Sequence, residues 1–250
     1  IIKFTDVAQQ AGIFNGISGY GLGISIGDID QNGCPDLYIG NDFHENDYLY
    51  LNQQDGTFKE VMREQIQHTS RFSMGVDVAD INNDAQLDII TLDMLPEDPY
   101  ILKSSLAEDA YDIFQFKLRY GYHPQYARNN LQLNNGNGTF SEIGLYAGGE
   151  ASDWSWAPLF VDFENDGYRD LFISNGIPRR MNDIDYINFR ANGELRWKSS
   201  TNNLEEDDLV LVDSMPQIKL PNKFYQNNGS LRFKDLKAEI DGALPTYSNG

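Results

Sequence analysis

A single cysteine, three histidines and no long apolar run characterise this sequence by what it leaves out. Cys34 stands alone in 250 residues, so no internal disulfide can form and packing, hydrogen bonds or metal must hold the fold. His44, His68 and His123 are the only histidines, and none sits in a metal-ligand spacing such as H-x-x-x-H. A phosphate loop and a dinucleotide fingerprint are both missing, which removes two of the commonest sequence signatures of catalysis. No stretch approaches the roughly 18 apolar residues that a membrane helix needs, and no charged-then-apolar leader is present. Basic residues are scarce, 19 against 38 acidic ones, for a formal charge of -19. Nucleic acid is therefore excluded as a partner, because phosphate contacts need clustered Lys and Arg. Cations suit the chain better. Its 40% hydrophobic and 12% aromatic content is that of a globular protein long enough to bury a sizeable core.

What the sequence does contain is an internal repeat. The stretch Asp28-Ile29-Asp30-Gln31-Asn32-Gly33-Cys34-Pro35-Asp36 has relatives in Asp80-Ile81-Asn82-Asn83-Asp84-Ala85-Gln86-Leu87-Asp88 and Asp162-Phe163-Glu164-Asn165-Asp166-Gly167-Tyr168-Arg169-Asp170. Each leads into an apolar run, Leu37-Tyr38-Ile39, Ile89-Ile90-Thr91-Leu92 and Leu171-Phe172-Ile173, so each acidic loop precedes a strand. A second motif recurs out of phase: Tyr48-Leu49-Tyr50-Leu51-Asn52 before Asp55-Gly56-Thr57-Phe58, Leu131-Gln132-Leu133-Asn134 before Asn137-Gly138-Thr139-Phe140, and Phe224-Tyr225-Gln226-Asn227 before Phe233. Alternation, a Gly-containing turn and another short apolar run predict a β-hairpin. Each unit thus supplies about four short strands.

Phe58 to Asp80 and Phe140 to Asp162 are both 22 residues, whereas the first Asp of each loop lies 30, 60 and 71 residues before Phe58, Phe140 and Phe233. Nearly all the length variation falls between the second and third strands, and a repeat whose insertions share one connection exposes that connection on one face, often the binding face. Residues 97–120 carry Ile101, Leu102, Leu106, Tyr111, Phe114 and Leu118 at spacings that suit one or two amphipathic helices. The second insertion reads as a helix around Asp183–Arg190 followed by a polar loop.

Four-stranded units in tandem predict an all-β fold, a β-propeller of four-stranded blades, which closes with about four to eight blades. The expected division is 1–14 as the last strand of a preceding blade, 15–66 as a blade, and 67–148 as a blade with a helical insertion at about 97–129. A blade at 149–240 with an insertion at about 177–221 follows, and 241–250 begins another. Three complete blades do not close a ring, so the chain reads as an interior piece of a larger propeller.

The spacing D-x-[DN]-x-[DN]-G-x-x-D puts oxygen side chains at positions 1, 3, 5 and 9, an arrangement that lets them converge with one carbonyl on a hard cation preferring six to eight oxygens. Calcium fits better than magnesium. The first loop would offer Asp28, Asp30, Asn32 and Asp36 with the carbonyl of Cys34; the second, Asp80, Asn82, Asp84 and Asp88 with the carbonyl of Gln86; the third, Asp162, Glu164, Asp166 and Asp170 with the carbonyl of Tyr168. Asp, Asn and Gly also form plain turns, but a turn does not need an acid at position 9, at the head of an apolar strand. Ala85 replaces the turn glycine, which marks the second loop as the weakest of up to three Ca2+ sites; Glu164 is a methylene longer than Asp.

These loops, together with the "DGTF" and "NGTF" turns, resemble the FG-GAP or VCBS repeat, the calcium-binding blade of integrin α-subunit propellers and of many bacterial secreted proteins. The segments Thr91–Pro96, Tyr120–Tyr126 and Asp153–Pro158 are similar to VCBS-repeat surface proteins of Bacteroidetes of the ASPIC/UnbV-associated type. The resemblance implies a calcium-binding propeller that is extracellular or on the bacterial outer-membrane surface, any membrane attachment coming through segments outside this chain.

The reading favoured by length variation and loop constancy is a non-catalytic binding module whose insertions take a glycan or protein ligand. An enzyme, lyase-like on polysaccharide, would need a base and a cation in one cleft, with His44 or His123 beside Arg128 as candidates; an adhesion or secretion scaffold is a third class. His123, among Tyr120, Tyr122 and Tyr126, fits packing better than sugar stacking. Arg179 and Arg180 read as exposed neighbours, and the sequons at Asn137 and Asn228 as hairpin turns.

Overall fold

A computed structural model of the chain describes residues 3–14, 19–106, 108–190, 213, 215–240 and 244–248. The first sheet is β1 (Tyr20–Gly27), β2 (Asp36–Asp42), β3 (Tyr48–Asn52) and β4 (Phe58–Glu60), antiparallel and in that order. A short helix, α1 (Met62–Gln65), and β5 (Thr69–Ser70) lead into the second sheet. That sheet holds β6 (Gly75–Ala79) and β7 (Asp88–Leu92), then, after α2 (Pro99–Ser104), α3 (Tyr111–Arg119) and β8 (Gln125–Tyr126), β9 (Asn130–Asn134) and β10 (Phe140–Glu142). After α4 (Gly144–Ala147), the third sheet comprises β11 (Ser155–Val161), β12 (Asp170–Asn175), β13 (Lys223–Asn227) and β14 (Phe233–Asp235), with α5 (Ile184–Arg190) between its second and third strands. β5 and β8 pair in parallel, Thr69 opposite Gln125. The fold is all-β, built on three four-stranded antiparallel sheets. The described residues do not close a ring.

The sheets pack face to face through the alternation of the strands. In β7, Ile89 joins Tyr38, Leu49, Leu51 and Ile29 of the first sheet, while its neighbour Ile90 joins Leu171, Ile173 and Tyr225 of the third. The middle sheet is therefore covered on both sides, and all five residues of β7 are buried. The end sheets are not: Leu22, Ile24 and Ile26 of β1 are half exposed or more, as is Leu159 of β11. Ile24 and Ile26 occupy the repeat positions of Val76 and Val78, which the first sheet covers.

In an antiparallel sheet of consecutive strands, the first and third connections lie at one end and the second at the other. The acidic loops and hairpin turns therefore share one end, and the insertions gather at the opposite end. The insertion at about 97–129 is helical as expected: Pro99 opens α2, and Asp98 caps it by accepting from Tyr100 N (2.8 Å) and Ile101 N (3.0 Å). The second insertion supplies α5, while its polar stretch at 191–212 lies outside the described residues. The two insertions touch, since Leu106 N donates to Asn182 O at 2.8 Å and Ser105 bridges to Asp183.

The chain start differs from expectation. Residues 3–14 form turns, with Ala11 N donating to Val7 O and Ile13 N to Ala8 O, and contain no strand. Gly12, with φ +75, comes so close to the Phe58 carbonyl that a Cβ would sit 2.7 Å from it, and only glycine combines that approach with that backbone. Toward the end, Thr246 bridges to Leu220 and Ser248 N donates to Asn175 O, so residues 244–248 lie along the third sheet; 241–243 and 249–250 are outside the described residues.

Candidate metal centre

The three acidic loops share one backbone. Positions 4 and 6 have positive φ in all of them: Gln31 and Gly33, Asn83 and Ala85, Asn165 and Gly167. Ala85, at φ +67, therefore carries the strain expected of a non-glycine residue there, about 1 kcal/mol. The N–H of position 6 donates to the position-1 carboxylate, Gly33 to Asp28 (3.0 Å), Ala85 to Asp80 (2.8 Å) and Gly167 to Asp162 (3.0 Å). The position-5 oxygen accepts from the N–H of position 7, fixing the peptide just before the residue that offers the proposed carbonyl ligand: Asn32 from Cys34, Asp84 from Gln86 and Asp166 from Tyr168, all at 2.8–2.9 Å.

Position 9 has a duty that the sequence did not reveal. Asp36, Asp88 and Asp170 are fully buried. One oxygen of each accepts from position 2, Ile29 (2.8 Å), Ile81 (3.0 Å) or Phe163 (2.8 Å). The other accepts from the residue ending the third strand, Asn52 (2.7 Å), Asn134 (2.8 Å) or Asn227 (2.8 Å). Burial outweighs these bonds and pushes all three carboxyls up, Asp88 to about 6. The position-9 acid thus latches hairpin to loop whether or not a cation is bound, and it is weaker evidence for metal than its sequence position implied. The hairpin asparagines belong to the site as well. Asn134 Nδ2 lies 3.3 Å from both Ile29 O of the preceding loop and Leu87 O of its own, and Asn227 Nδ2 donates to Ile81 O (2.7 Å) and Arg169 O (3.1 Å). Their signal was the Asn shared by "LYLN", "LQLN" and "FYQN".

The loops differ in which oxygens remain available. Carboxylate oxygens of Asp28, Asp30 and Asp36 lie within 4.8 Å of one another, as do those of Asp162, Glu164 and Asp170; among the described residues Asp80, Asp84 and Asp88 form no such group. In the first loop Asp28 Oδ1 is buried without a hydrogen-bond partner, which is costly unless a cation or water meets it. In the second, Asp80 Oδ1 is taken by Asn82 N (3.3 Å) and Asp84 N (3.2 Å), and Asp84 Oδ2 by Asn82 Nδ2 (2.9 Å). In the third, Asp162 Oδ1 accepts from Asp166 N at 3.1 Å, and Glu164 reaches sideways to Gln226, whose donated bond holds its carboxyl below the usual range. The donor set of the first loop fits a hard cation best.

Among the described residues, the other end of the sheets does not bring His44 or His123 to Arg128. Arg128 pairs with Glu142 (3.1 Å) and His68 (3.2 Å), rather than with His44 or His123. His123 N donates to Asn46 Oδ1 at 2.9 Å and the side chain is nearly buried, which is packing of the insertion onto the first sheet. Asp47 and Asp93 are buried acceptors here, raised by desolvation to about 7 and about 6. Asp47 accepts from Tyr38 Oη (2.9 Å) and Ser73 Oγ (3.1 Å), which joins the first two sheets. Arg180 departs from its reading as an exposed residue: it is buried and donates to Asp153 Oδ1 at 2.6 Å, while Arg179 pairs with Asp213. Asn137 Oδ1 accepts from Thr139 N and Oγ1 (3.1 and 2.7 Å), the turn role expected of that sequon.

No helix among the described residues is long and apolar enough to cross a membrane. No curated protein matches the chain. A protein-family model described as FG-GAP-like repeat matches residues 28–91 and 120–173, segments that begin on the first acidic loop and end in the strand after the third. With three acidic loops and their hairpins in register, the chain is an FG-GAP-repeat protein.

Proposed function

We propose that the protein is a calcium-stabilised extracellular or cell-surface β-propeller module, non-catalytic, that binds a glycan or protein ligand through its insertions. FG-GAP repeats are typical of extracellular or surface proteins. The observation that carries the calcium reading is the buried, unpartnered Asp28 Oδ1 among the converging carboxylates of the first loop. Bound there, the cation supplies positive charge to a cluster of desolvated acids. Asp28, Asp30, Asn32, Asp36 and the Cys34 carbonyl hold it in the first loop, and Asp162, Glu164, Asp166, Asp170 and the Tyr168 carbonyl in the third. The half-exposed apolar faces of the end sheets take further blades of a larger propeller.

The ligand surface is the joined pair of insertions, where Tyr100, Tyr111, Phe116 and Tyr120 are mostly exposed and the Phe116 and Tyr120 rings lie 4.4 Å apart. Such rings supply contact area to sugars and proteins at low entropic cost. Calorimetric titration of the chelator-treated chain with calcium is expected to register binding with dissociation constants of about 10⁻⁴ to 10⁻³ M, the range of extracellular modules. No heat and no change in melting temperature at 10-fold that concentration would refute the calcium reading. A glycan array and a surface-protein pull-down with the paired Phe116→Ala and Tyr120→Ala variant test the ligand face; retained binding to the same ligand refutes it.

A further inference from the structure

The acidic loops of neighbouring blades are tied together, and the ties run through the residues that set each loop's shape. Gln31, at position 4 of the first loop, donates its side-chain amide to the carbonyl of Ala85, at position 6 of the second. Asn83, at position 4 of the second loop, donates in turn to the carbonyl of Gly167, at position 6 of the third, at 3.2 Å. Every residue in this chain of contacts has positive φ. The peptide that carries each accepting carbonyl also faces inward through its own N–H: Gln86 N holds Asp84, and Tyr168 N holds Asp166. Gln31 lies between the proposed ligands Asp30 and Asn32, so ordering of the first loop fixes the Gln31 side chain and, through the second loop, the amide that orients Asp166.

The geometry points to a second loop that acts as a metal-free relay coupling cation binding in the first and third loops, an inference resting on the proposal that those two loops hold cations. The second loop is suited to this because its own hydrogen bonds satisfy its carboxylates without an ion: Asp80 by three backbone N–H groups, Asp84 by Gln86 N and Asn82 Nδ2, Asp88 by Ile81 N and Asn134 N. It keeps its shape when empty and transmits the position of its neighbours. Coupling of this kind is reciprocal, each filled loop tightening the other by the same factor.

Calcium titration of the whole chain tests this with the parent, three single variants and two double variants. Asp162→Ala leaves only the first loop to fill and Asp28→Ala only the third. Asn83→Gly keeps a residue that accepts positive φ and removes the tie between the second and third loops. The expected result is two ions in the parent chain, with the product of its two binding constants about 5-fold above the product of the two single-loop constants. In Asn83→Gly two ions still bind and the ratio of the products, measured against the same single-loop variants made in that background, falls to one. Amide hydrogen exchange gives a second readout: in Asp28→Ala, calcium protects the third loop less than in the parent, and in Asn83→Gly the loss of the first loop makes no difference. Two ions with a ratio of one in the parent, or three ions of comparable affinity, overturn the relay. Absence of binding in every protein refutes the cation sites themselves.

Discussion

The first and second acidic loops begin 52 residues apart, at Asp28 and Asp80, and share their backbone, their position-9 latch and their turn hydrogen bonds. They part at one oxygen. Asp28 Oδ1 is buried with nothing to accept, and Asp80 Oδ1 is occupied by two backbone N–H groups. The comparison teaches that the loop fold is separable from any cation site: both loops share the fold through Asp at positions 1 and 9, and only the first keeps a buried position-1 oxygen to spare.

Removing position 1 from each loop is the sharpest way to break the comparison, and it has the largest expected effect. With free calcium at 100-fold the dissociation constant, each filled loop contributes about 2.7 kcal/mol of stability. Asp28→Ala is expected to lose that increment for the first loop, seen as a smaller difference between urea midpoints in calcium and in chelator. Asp80→Ala lowers stability by about 1–3 kcal/mol in chelator, because it strands backbone donors, and keeps most of the calcium increment. Equal loss of the increment in both variants would show that the second loop binds as the first does.

Much of this was legible in the sequence because the repeat is written in local chemistry. The acidic loop, the apolar strand after it and the Gly-containing hairpin are each set by neighbours within about ten residues, so the four-stranded antiparallel sheets and the helices of the first insertion follow from spacing. What was not legible depends on partners far along the chain. The latch from Asp36 to Asn52 spans 16 residues, the tie from Asn83 to Gly167 spans 84, and Asn227 reaches back 146 residues to Ile81. Arg180 was misjudged for the same reason, since Asp153, which holds it, is 27 residues earlier. Residues 3–14 show the converse: Phe4-Thr5-Asp6-Val7 matches Phe58-Lys59-Glu60-Val61, yet this segment forms turns closed by local backbone bonds.

A smaller effect follows from the one backbone difference between the loops. Ala85 at φ +67 stands where Gly33 has φ +87, and nothing lies within 4 Å of a Cβ placed on Gly33. Ala85→Gly is therefore expected to stabilise the chain by about 1 kcal/mol through relief of the left-handed backbone, and Gly33→Ala to cost about the same without any steric clash. For a chain of this size either change moves the melting temperature by about 2–4 °C. No shift for Ala85→Gly would mean that the second loop adopts another backbone in solution.

The smallest expected effect tests which atom of Cys34 matters. Its N–H donates to Asn32 Oδ1 at 2.9 Å, a bond that fixes the peptide and leaves the carbonyl of residue 34, not the thiol, as the proposed ligand at position 7. Serine keeps both the N–H and the carbonyl, and a hard cation prefers oxygen to sulfur, so Cys34→Ser should leave the first loop's dissociation constant within about 2-fold, a free-energy change of only about 0.4 kcal/mol. Calcium titration of that variant in the Asp162→Ala background reads the first loop alone. A 10-fold weakening there would place the thiol in the site and break the equivalence of Cys34 with Gln86 and Tyr168, on which the assignment of position 7 depends.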